Sequence, residues 1–198
     1  MTDPALLPQL LAAIAADDDE RVEALVLQLT AAAEPALLTL LQNGDATQRW
    51  WAVRALAHCG TAATIPALLT TLQADDPALR VVAAMALGAL ATRHTADLAP
   101  YFSHLAERLA DADGSVRQAA ADALVQAGDA AVEPLVAVLR VSEHQGARSR
   151  AAYALRKIGT PATIPALFRC LNDPNYLVHT YAYEALDEMG LLETELVM

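Results

Sequence analysis

The sequence predicts an all-α fold, an α-solenoid built from about six stacked pairs of helices. A motif recurs along the chain, with a proline near the head of each copy. The marker prolines are Pro35, Pro66, Pro100, Pro134 and Pro165, at spacings of 31, 34, 34 and 31 residues. Each copy contains two apolar stretches of helical period, and no segment alternates long enough to predict a β-strand. A repeat of this length indicates stacked helical units that bury their apolar faces against one another.

The composition favours a folded protein and argues against binding to nucleic acid. Of 198 residues, 55% are hydrophobic and 5% aromatic, so the expected core consists mainly of Ala, Leu and Val. The net charge of −11 opposes binding to polyanions, because phosphate-binding surfaces need Lys and Arg. We therefore expect neither nucleic acid nor an anionic membrane surface as a partner.

The two cysteines and the N-terminus indicate a cytoplasmic protein. Cys59 and Cys170 lie far apart in apolar helical contexts, typical of free buried thiols in a reducing compartment. The apolar run "PALLPQLLAAIAA" is not preceded by a basic residue and is followed by "DDDE", so it does not resemble a signal peptide. No apolar stretch approaches the roughly 20 residues that a membrane-spanning helix needs.

Each repeat unit reads as a first helix, a short polar turn and a second helix. Proline stands in the first turn of the first helix, where its missing N–H costs nothing. Glycine stops the second helix at Gly60, Gly128, Gly159 and Gly190. We expect one domain over residues 1–198, and the predicted units are a degenerate first copy at 4–30, then 33–60, 64–90, 98–128, 131–159 and 164–190, with a tail at 191–198.

The repeat motif resembles a known family. The segment "LADADGSVRQAAADALVQAG" at residues 109–128 is similar to the consensus of HEAT repeats, in particular the subtype named after phycobilisome lyases. The resemblance covers about 170 of the 198 residues and implies a right-handed solenoid of about six HEAT-like helix pairs. It implies little about function, because this scaffold serves many unrelated roles.

A basic residue recurs at one position of every second helix, and we call this series the arginine ladder. By analogy with the family, we expect the ladder to be structural. The preceding acidic residues would cap helix N-termini, and each arginine would bridge to carboxylates of its own or the adjacent unit. The ladder consists of Arg49, Arg80, Arg117 and Arg148, with His179 in the last unit, and the acidic residues are Asp45, Asp76, Asp111, Asp113 and Asp173.

The sequence contains no motif that points to catalysis, so we predict no catalytic residues, no metal site and no cofactor. The five histidines form neither an HExxH motif nor a pair four residues apart. The HEAT-like enzyme deoxyhypusine hydroxylase holds two irons with His-Glu dipeptides, which this chain lacks. Phosphate-binding glycine motifs and a nucleophile elbow are absent from the sequence as well. HEAT-like DNA glycosylases use a basic face, which the negative charge opposes.

The second helices carry a second set of positions that vary between units. Counted from the ladder residue, the residues at positions +3, +4, +6 and +7 are small or apolar, so we expect them to face the core. Positions +1, +5 and +9 lie opposite, with +2 at the edge, and by resemblance to HEAT arrays they line the concave surface. We call these positions the variable face and predict that it binds a protein or peptide. The candidate residues are Trp50, Trp51, Arg54, Val81, Met85, Gln118, Asp122, Arg150, Tyr153, Tyr181 and Glu184.

The two adjacent tryptophans are the strongest sign of a binding role. Exposed aromatic residues and Met beside an arginine are typical of interaction hot spots. The alternative is structural: Trp51 packs between units while Trp50 lies flat over small neighbours.

Two other functions remain open from the sequence. The chain is either a bilin-lyase-type subunit acting on a tetrapyrrole with a partner protein, as the name of the subtype suggests, or a structural subunit of a larger complex. The oligomeric state is unknown. The apolar tail "LLETELVM" at residues 191–198 either caps the last unit or makes a contact with another chain.

Overall fold

The computed structural model describes residues 3–192, and every regular element in that range is helical. This confirms the predicted all-α class. The thirteen described α-helices are α1 (Asp3–Ala15), α2 (Asp19–Val26), α3 (Glu34–Asn43), α4 (Ala46–Cys59), α5 (Ile65–Thr71), α6 (Pro77–Ala91), α7 (Thr95–Leu98), α8 (Phe102–Glu107), α9 (Gly114–Ala127), α10 (Val132–Val141), α11 (Gln145–Ile158), α12 (Ile164–Cys170) and α13 (Tyr176–Glu188).

The chain divides into two compact units, Met1–Leu98 and Ala99–Met198. In the first unit, α1 packs on α2, α3 on α4 and α5 on α6, and α4 also packs on α6. In the second unit, α8 packs on α9, α10 on α11 and α12 on α13, while α11 packs on both α9 and α13. Each unit is thus a stack of three helical pairs. A single domain over the whole chain stays a prediction.

The residues that begin and end the helices act as the sequence predicts. Pro35, Pro66 and Pro165 stand in the first turn of α3, α5 and α12. Gly159 ends α11 in the left-handed conformation, with φ of 61°, which residues with a Cβ adopt only at a cost. Gly60 ends α4 differently: its backbone is extended, and a Cβ there would lie 2.5 Å from the carbonyl oxygen of Leu56.

The first helix of the fourth repeat differs from the others because it is broken. Two α-helical segments, α7 and α8, flank a 3-10 turn at Ala99–Tyr101, and a second 3-10 turn follows at Arg108–Ala110. Pro100 lies inside the break, where it lacks the N–H that a continuous helix needs. Phe102 follows the break directly and is fully buried, so the broken helix still places a large side chain in the core.

The core side of the second helices is built from small residues, as predicted. In the second to fifth repeats, all residues at ladder positions +3, +4, +6 and +7 are at most 1% exposed. The exception is Tyr183 in α13, which is 51% exposed. Since α13 is the last described helix, no later described helix covers this position.

Candidate functional site

Members of the arginine ladder tie their own helix to the turn before it. Arg80 Nη1 donates to the carbonyl oxygens of Ala74 and Asp75, both at 2.9 Å. Arg117 Nη1 repeats this arrangement with the two carbonyl oxygens at the start of its own turn, at 2.7 and 2.8 Å. His179 Nδ1 lies 2.7 Å from the carbonyl oxygen of Leu171. The prediction of carboxylate bridges is therefore incomplete, because backbone carbonyls take much of the hydrogen bonding.

The ladder residue of α11 also forms the expected bridge to the adjacent repeat. Arg148 donates to the carbonyl oxygen of Leu139 and forms an ion pair with Asp173 of the next unit. The two side chains are only 16% and 11% exposed. Since Asp173 Oδ1 also accepts from the backbone N–H of Asn175 at 2.9 Å, this carboxylate links two repeats and braces a turn.

The acidic residues of the turns divide into two roles, and only one of them was predicted. Asp45, Asp76 and Asp113 cap α4, α6 and α9 through backbone N–H groups. Asp111 and Asp173 do not cap helices; each accepts a hydrogen bond from the N–H two residues later, inside the turn. The corresponding caps of α11 and α13 are His144 and Asn175, which the acidic pattern missed.

In the first unit, the variable face combines half-buried and exposed apolar groups. Trp50 is half-buried and packs edge-to-face against Trp51, with ring centroids 4.8 Å apart. Trp51 is only 6% exposed, so it belongs to the core and drops out of the candidate surface. On the neighbouring helix, Val81 is half-buried and Met85 is 54% exposed.

Arg54 of the same face is held by a carboxylate from the preceding repeat. Its Nε and Nη2 atoms donate to the two oxygens of Glu23, both at 3.0 Å. This two-point geometry fixes the plane of the guanidinium group. The Arg54 side chain as a whole is 32% exposed, so part of it faces solvent.

In the second unit, the variable face is aromatic and charged. Tyr153 and Tyr181 pack edge-to-face at 5.7 Å, and Lys157 Nζ lies 5.8 Å from the Tyr153 ring centroid. Arg150 is half-buried; burial, with a smaller contribution from the charge of Arg117, lowers its pKa from the ordinary value. Exposed Gln118 and Asp122 hydrogen-bond to each other at 3.0 Å on α9.

Glu184 lies in an ion-pair cluster whose central residue sequence reasoning missed. Arg156 pairs with both Glu184 and Glu188, which lie one repeat further along the chain. The hydrogen bond from Arg156 lowers the pKa of Glu188, and the bond to Glu188 is also the largest cause that raises the pKa of Arg156. Glu184 and Glu188 follow Arg156 by 28 and 32 residues, which is about one repeat. Opposite charges at this spacing are the sequence signal for the cluster.

Both cysteines are free and buried, as predicted. Burial raises the pKa of the Cys170 thiol to about 11, with a further rise from the charge of Asp173. At pH 8 only about one thiol in a thousand is then ionised, and the thiolate is the reactive species. We expect Cys170 to resist a thiol reagent at pH 8 until the protein unfolds. Labelling of native and urea-unfolded Cys59→Ala protein measures this, and rapid native labelling would contradict it.

No cluster of three or more His, Cys, Asp or Glu residues suited to a metal ion occurs within residues 3–192. Over the same range, no single helix is long and apolar enough to span a membrane. Taken together, the two helical segments Asp19–Val26 and Ala31–Asn43 are long and apolar enough by length and composition alone, but the chain bends by 111° between them.

Comparison with known proteins places this architecture in a family. The family model of HEAT repeats matches residues 34–101 and 102–190. Among solved structures, the complex of CpcE and CpcF of phycocyanin lyase from Nostoc sp. PCC7120 is 22% identical with a TM-score of 0.60, covering 76% of this chain and 98% of that chain. A designed armadillo repeat protein in complex with the peptide (KR)4 is 19% identical, with a TM-score of 0.52 and coverages of 91% and 98%.

An engineered protein is similar to this chain over most of its length as well. It is 22% identical with a TM-score of 0.53, and the alignment covers 92% of this chain and 95% of that chain. At these identities the likeness concerns the fold alone. No curated protein matches the chain significantly.

Proposed function

We propose that this chain, which belongs to the HEAT-repeat family, is a non-enzymatic scaffold that binds a protein or peptide through the variable face of its second helices. The observation that carries the proposal is the side chain of Met85, which is 54% exposed on α6. Helix α6 packs on α4, which carries half-buried Trp50 at the corresponding face. An exposed flexible thioether and an aromatic ring on adjacent helices are typical of surfaces that adapt to a partner.

The second unit supplies a complementary kind of surface. Its paired Tyr153 and Tyr181 rings offer large contact area with few rotatable bonds, and Lys157 and Arg150 add positive charge. Glu184 is already neutralised in part by Arg156, so it contributes less to the net field than its charge implies. Apolar groups on the first unit and aromatic and charged groups on the second suit a protein chain better than a uniform polyanion.

The structural neighbours support a protein partner. The designed armadillo protein holds a peptide, and the phycocyanin lyase subunits form a complex with each other. Both relatives thus use this architecture in contact with another polypeptide.

We expect Met85→Glu to abolish capture of the partner, because it buries an unpaired charge in the interface. The measurement is a pull-down from native lysate followed by mass spectrometry, with wild type in parallel. Trp50→Ala should weaken the same capture at least tenfold, as hot-spot truncations of about 2 kcal/mol do. The matched control is Val141→Glu, which places the same charge at a 78% exposed position outside the variable face. A partner retained by Met85→Glu, or lost equally with Val141→Glu, would contradict the proposal.

The second candidate function is a lyase-type subunit that handles a tetrapyrrole carried by a partner. The observation in its favour is the TM-score of 0.60 with the CpcE–CpcF complex. An absorption spectrum of the material captured in the pull-down separates the two functions. A coloured eluate favours the lyase-type role, and a colourless protein partner favours the scaffold.

A further inference from the structure

Arg49 differs from the other arginines of the ladder in its hydrogen bonding. Arg80 and Arg117 donate to backbone carbonyl oxygens of the preceding turn, and Arg148 donates to one in the last turn of the preceding helix. The Arg49 side chain makes no hydrogen bond or ion pair with any residue in the described range 3–192, and its Nε atom is buried without a partner. The Nε atom of Arg117 is also buried without a partner, but the Arg117 side chain still donates two hydrogen bonds through Nη1. A buried donor of a charged group that lacks an acceptor costs free energy, so such a group calls for a ligand.

The register of the repeats explains why Arg49 lacks a carboxylate. Arg148 pairs with Asp173, which lies 25 residues further along the chain. The ladder residues Arg148 and His179 are 31 positions apart, and so are Arg49 and Arg80. The position that corresponds to Asp173 for Arg49 therefore also lies 25 residues further along the chain, at residue 74. That residue is Ala74, whose methyl group stands where the last repeat has its carboxylate.

Arg49 and Ala74 line the same groove, which lies wholly within the first unit and has a volume of about 520 Å³. Buried Leu41 and Leu79 form apolar parts of its wall, while the exposed side chains of Gln42 and Gln73 lie at its edge. The groove is lined by residues of α3, α4, α5 and α6 and of the turn between α5 and α6, and none of the candidate residues of the variable face is among them. A volume of this size accommodates several residues of a peptide.

The hydroxyl groups of the groove do not substitute for the missing carboxylate. Thr70 Oγ1 donates to the carbonyl oxygen of Pro66 at 3.0 Å, and Thr71 Oγ1 donates to that of Ala67 at 2.9 Å. Neither hydroxyl is bonded to Arg49. The one carboxylate in the lining belongs to exposed Asp75, and it forms no ion pair with Arg49.

We propose that this groove binds an acidic side chain of a partner protein, whose carboxylate pairs with Arg49 in the place that Asp173 fills for Arg148. A carboxylate accepts two hydrogen bonds from a guanidinium group, and the glutamine amides add further donors. Asp75 at the rim and the net charge of −11 oppose a second negative charge. The groove therefore selects a single Glu or Asp between neutral, apolar residues over a polyanion.

The test follows the Nε–Hε signal of Arg49 by NMR during titration with a peptide. The probe is the capped pentapeptide Ac-Ala-Leu-Glu-Leu-Ala-NH2, and the matched control replaces its Glu with Gln. We expect a saturable shift of the Arg49 signal with the Glu peptide, and at least tenfold weaker binding of the Gln peptide. A polyglutamate peptide should also bind more weakly, because of Asp75.

The variant Ala74→Asp supplies the missing carboxylate from the chain itself. We expect it to reduce binding of the Glu peptide at least tenfold and to raise the Tm by about 2–4 °C, as a partly buried ion pair does. The matched control is Ser142→Asp, which stands 25 residues after Arg117 in the second unit and should leave peptide binding unchanged. Both variants add one negative charge, so a general charge effect would change the two equally.

Several results would overturn the proposal. These are no saturable shift of Arg49 with the Glu peptide, equal binding of the Gln peptide, and undiminished binding by Ala74→Asp. A fourth is loss of stability in Asp75→Asn, which would mean that Asp75 already neutralises Arg49. Met85 does not line this groove. A negative result for peptide binding in the groove therefore does not affect the Met85→Glu test of the variable face.

Discussion

Replacement of Trp51 by alanine is expected to lower the free energy of unfolding by about 3–5 kcal/mol. The Trp51 side chain is 6% exposed and packs against the ring of Trp50. Its removal loses apolar burial and leaves a cavity among neighbours that are themselves rigidly packed. Urea unfolding followed by far-UV circular dichroism measures the change, and the Tm should fall by on the order of 10 °C.

The adjacent Trp50 provides the matched control for this prediction. Trp50→Ala removes the same side chain from a half-buried position, so we expect a loss within about 1 kcal/mol, mainly the aromatic contact. Equal losses from both substitutions would contradict the difference in burial. A larger loss from Trp50→Ala would mean that Trp50 is a core residue and would remove it from the proposed binding surface.

The second large effect is expected from Asp173→Asn, which should cost about 2–4 kcal/mol. The change keeps the shape of the side chain and an oxygen that can accept from the N–H of Asn175. It removes the charge that neutralises Arg148, whose side chain is 16% exposed. A nearly buried arginine without its counter-charge is destabilising, because its desolvation is no longer offset.

An exposed pair serves as the control for this substitution. His94 Nδ1 lies 3.8 Å from Asp97, whose side chain is 59% exposed. Asp97→Asn should therefore change the free energy of unfolding by less than about 0.5 kcal/mol. If Asp173→Asn proved equally mild, the bridge between the last two repeats would contribute little to stability, and the ladder would act through its backbone contacts alone.

The fold was predictable because each repeat carries the same local signals. Proline in the first turn, a capping Asp and a terminal glycine define the helices, and the alanine pattern identifies the side that packs. The structure confirms these signals at Pro66, Asp76 and Gly159. The break at Pro100 was not predicted, because proline near a helix start and proline inside a helix look alike until the boundaries are known.

The candidate site was less predictable, because the position of a residue on a helix does not by itself determine how deeply its side chain is buried. Trp50 falls on the predicted variable face and Trp51 at its edge, and only the packing of neighbouring helices decides which ring is covered. Side-chain partners across repeats were also hard to anticipate. The role of Arg156 was not predicted, because its partners lie in the next repeat. The position of Ala74 opposite Arg49, by contrast, can be found by aligning the repeats in the sequence alone.

The side-chain bonds between repeats have a consequence for how the chain is made. Arg54 bonds to a residue 31 positions earlier, and Arg93 to one 36 positions earlier. The partner needed by each new helical pair has therefore already been synthesised when that pair leaves the ribosome. At about 5–20 residues per second, a repeat of this length emerges every few seconds, far more slowly than helices form. We expect folding within each unit to proceed from its N-terminal end during translation, each pair docking on the one before it.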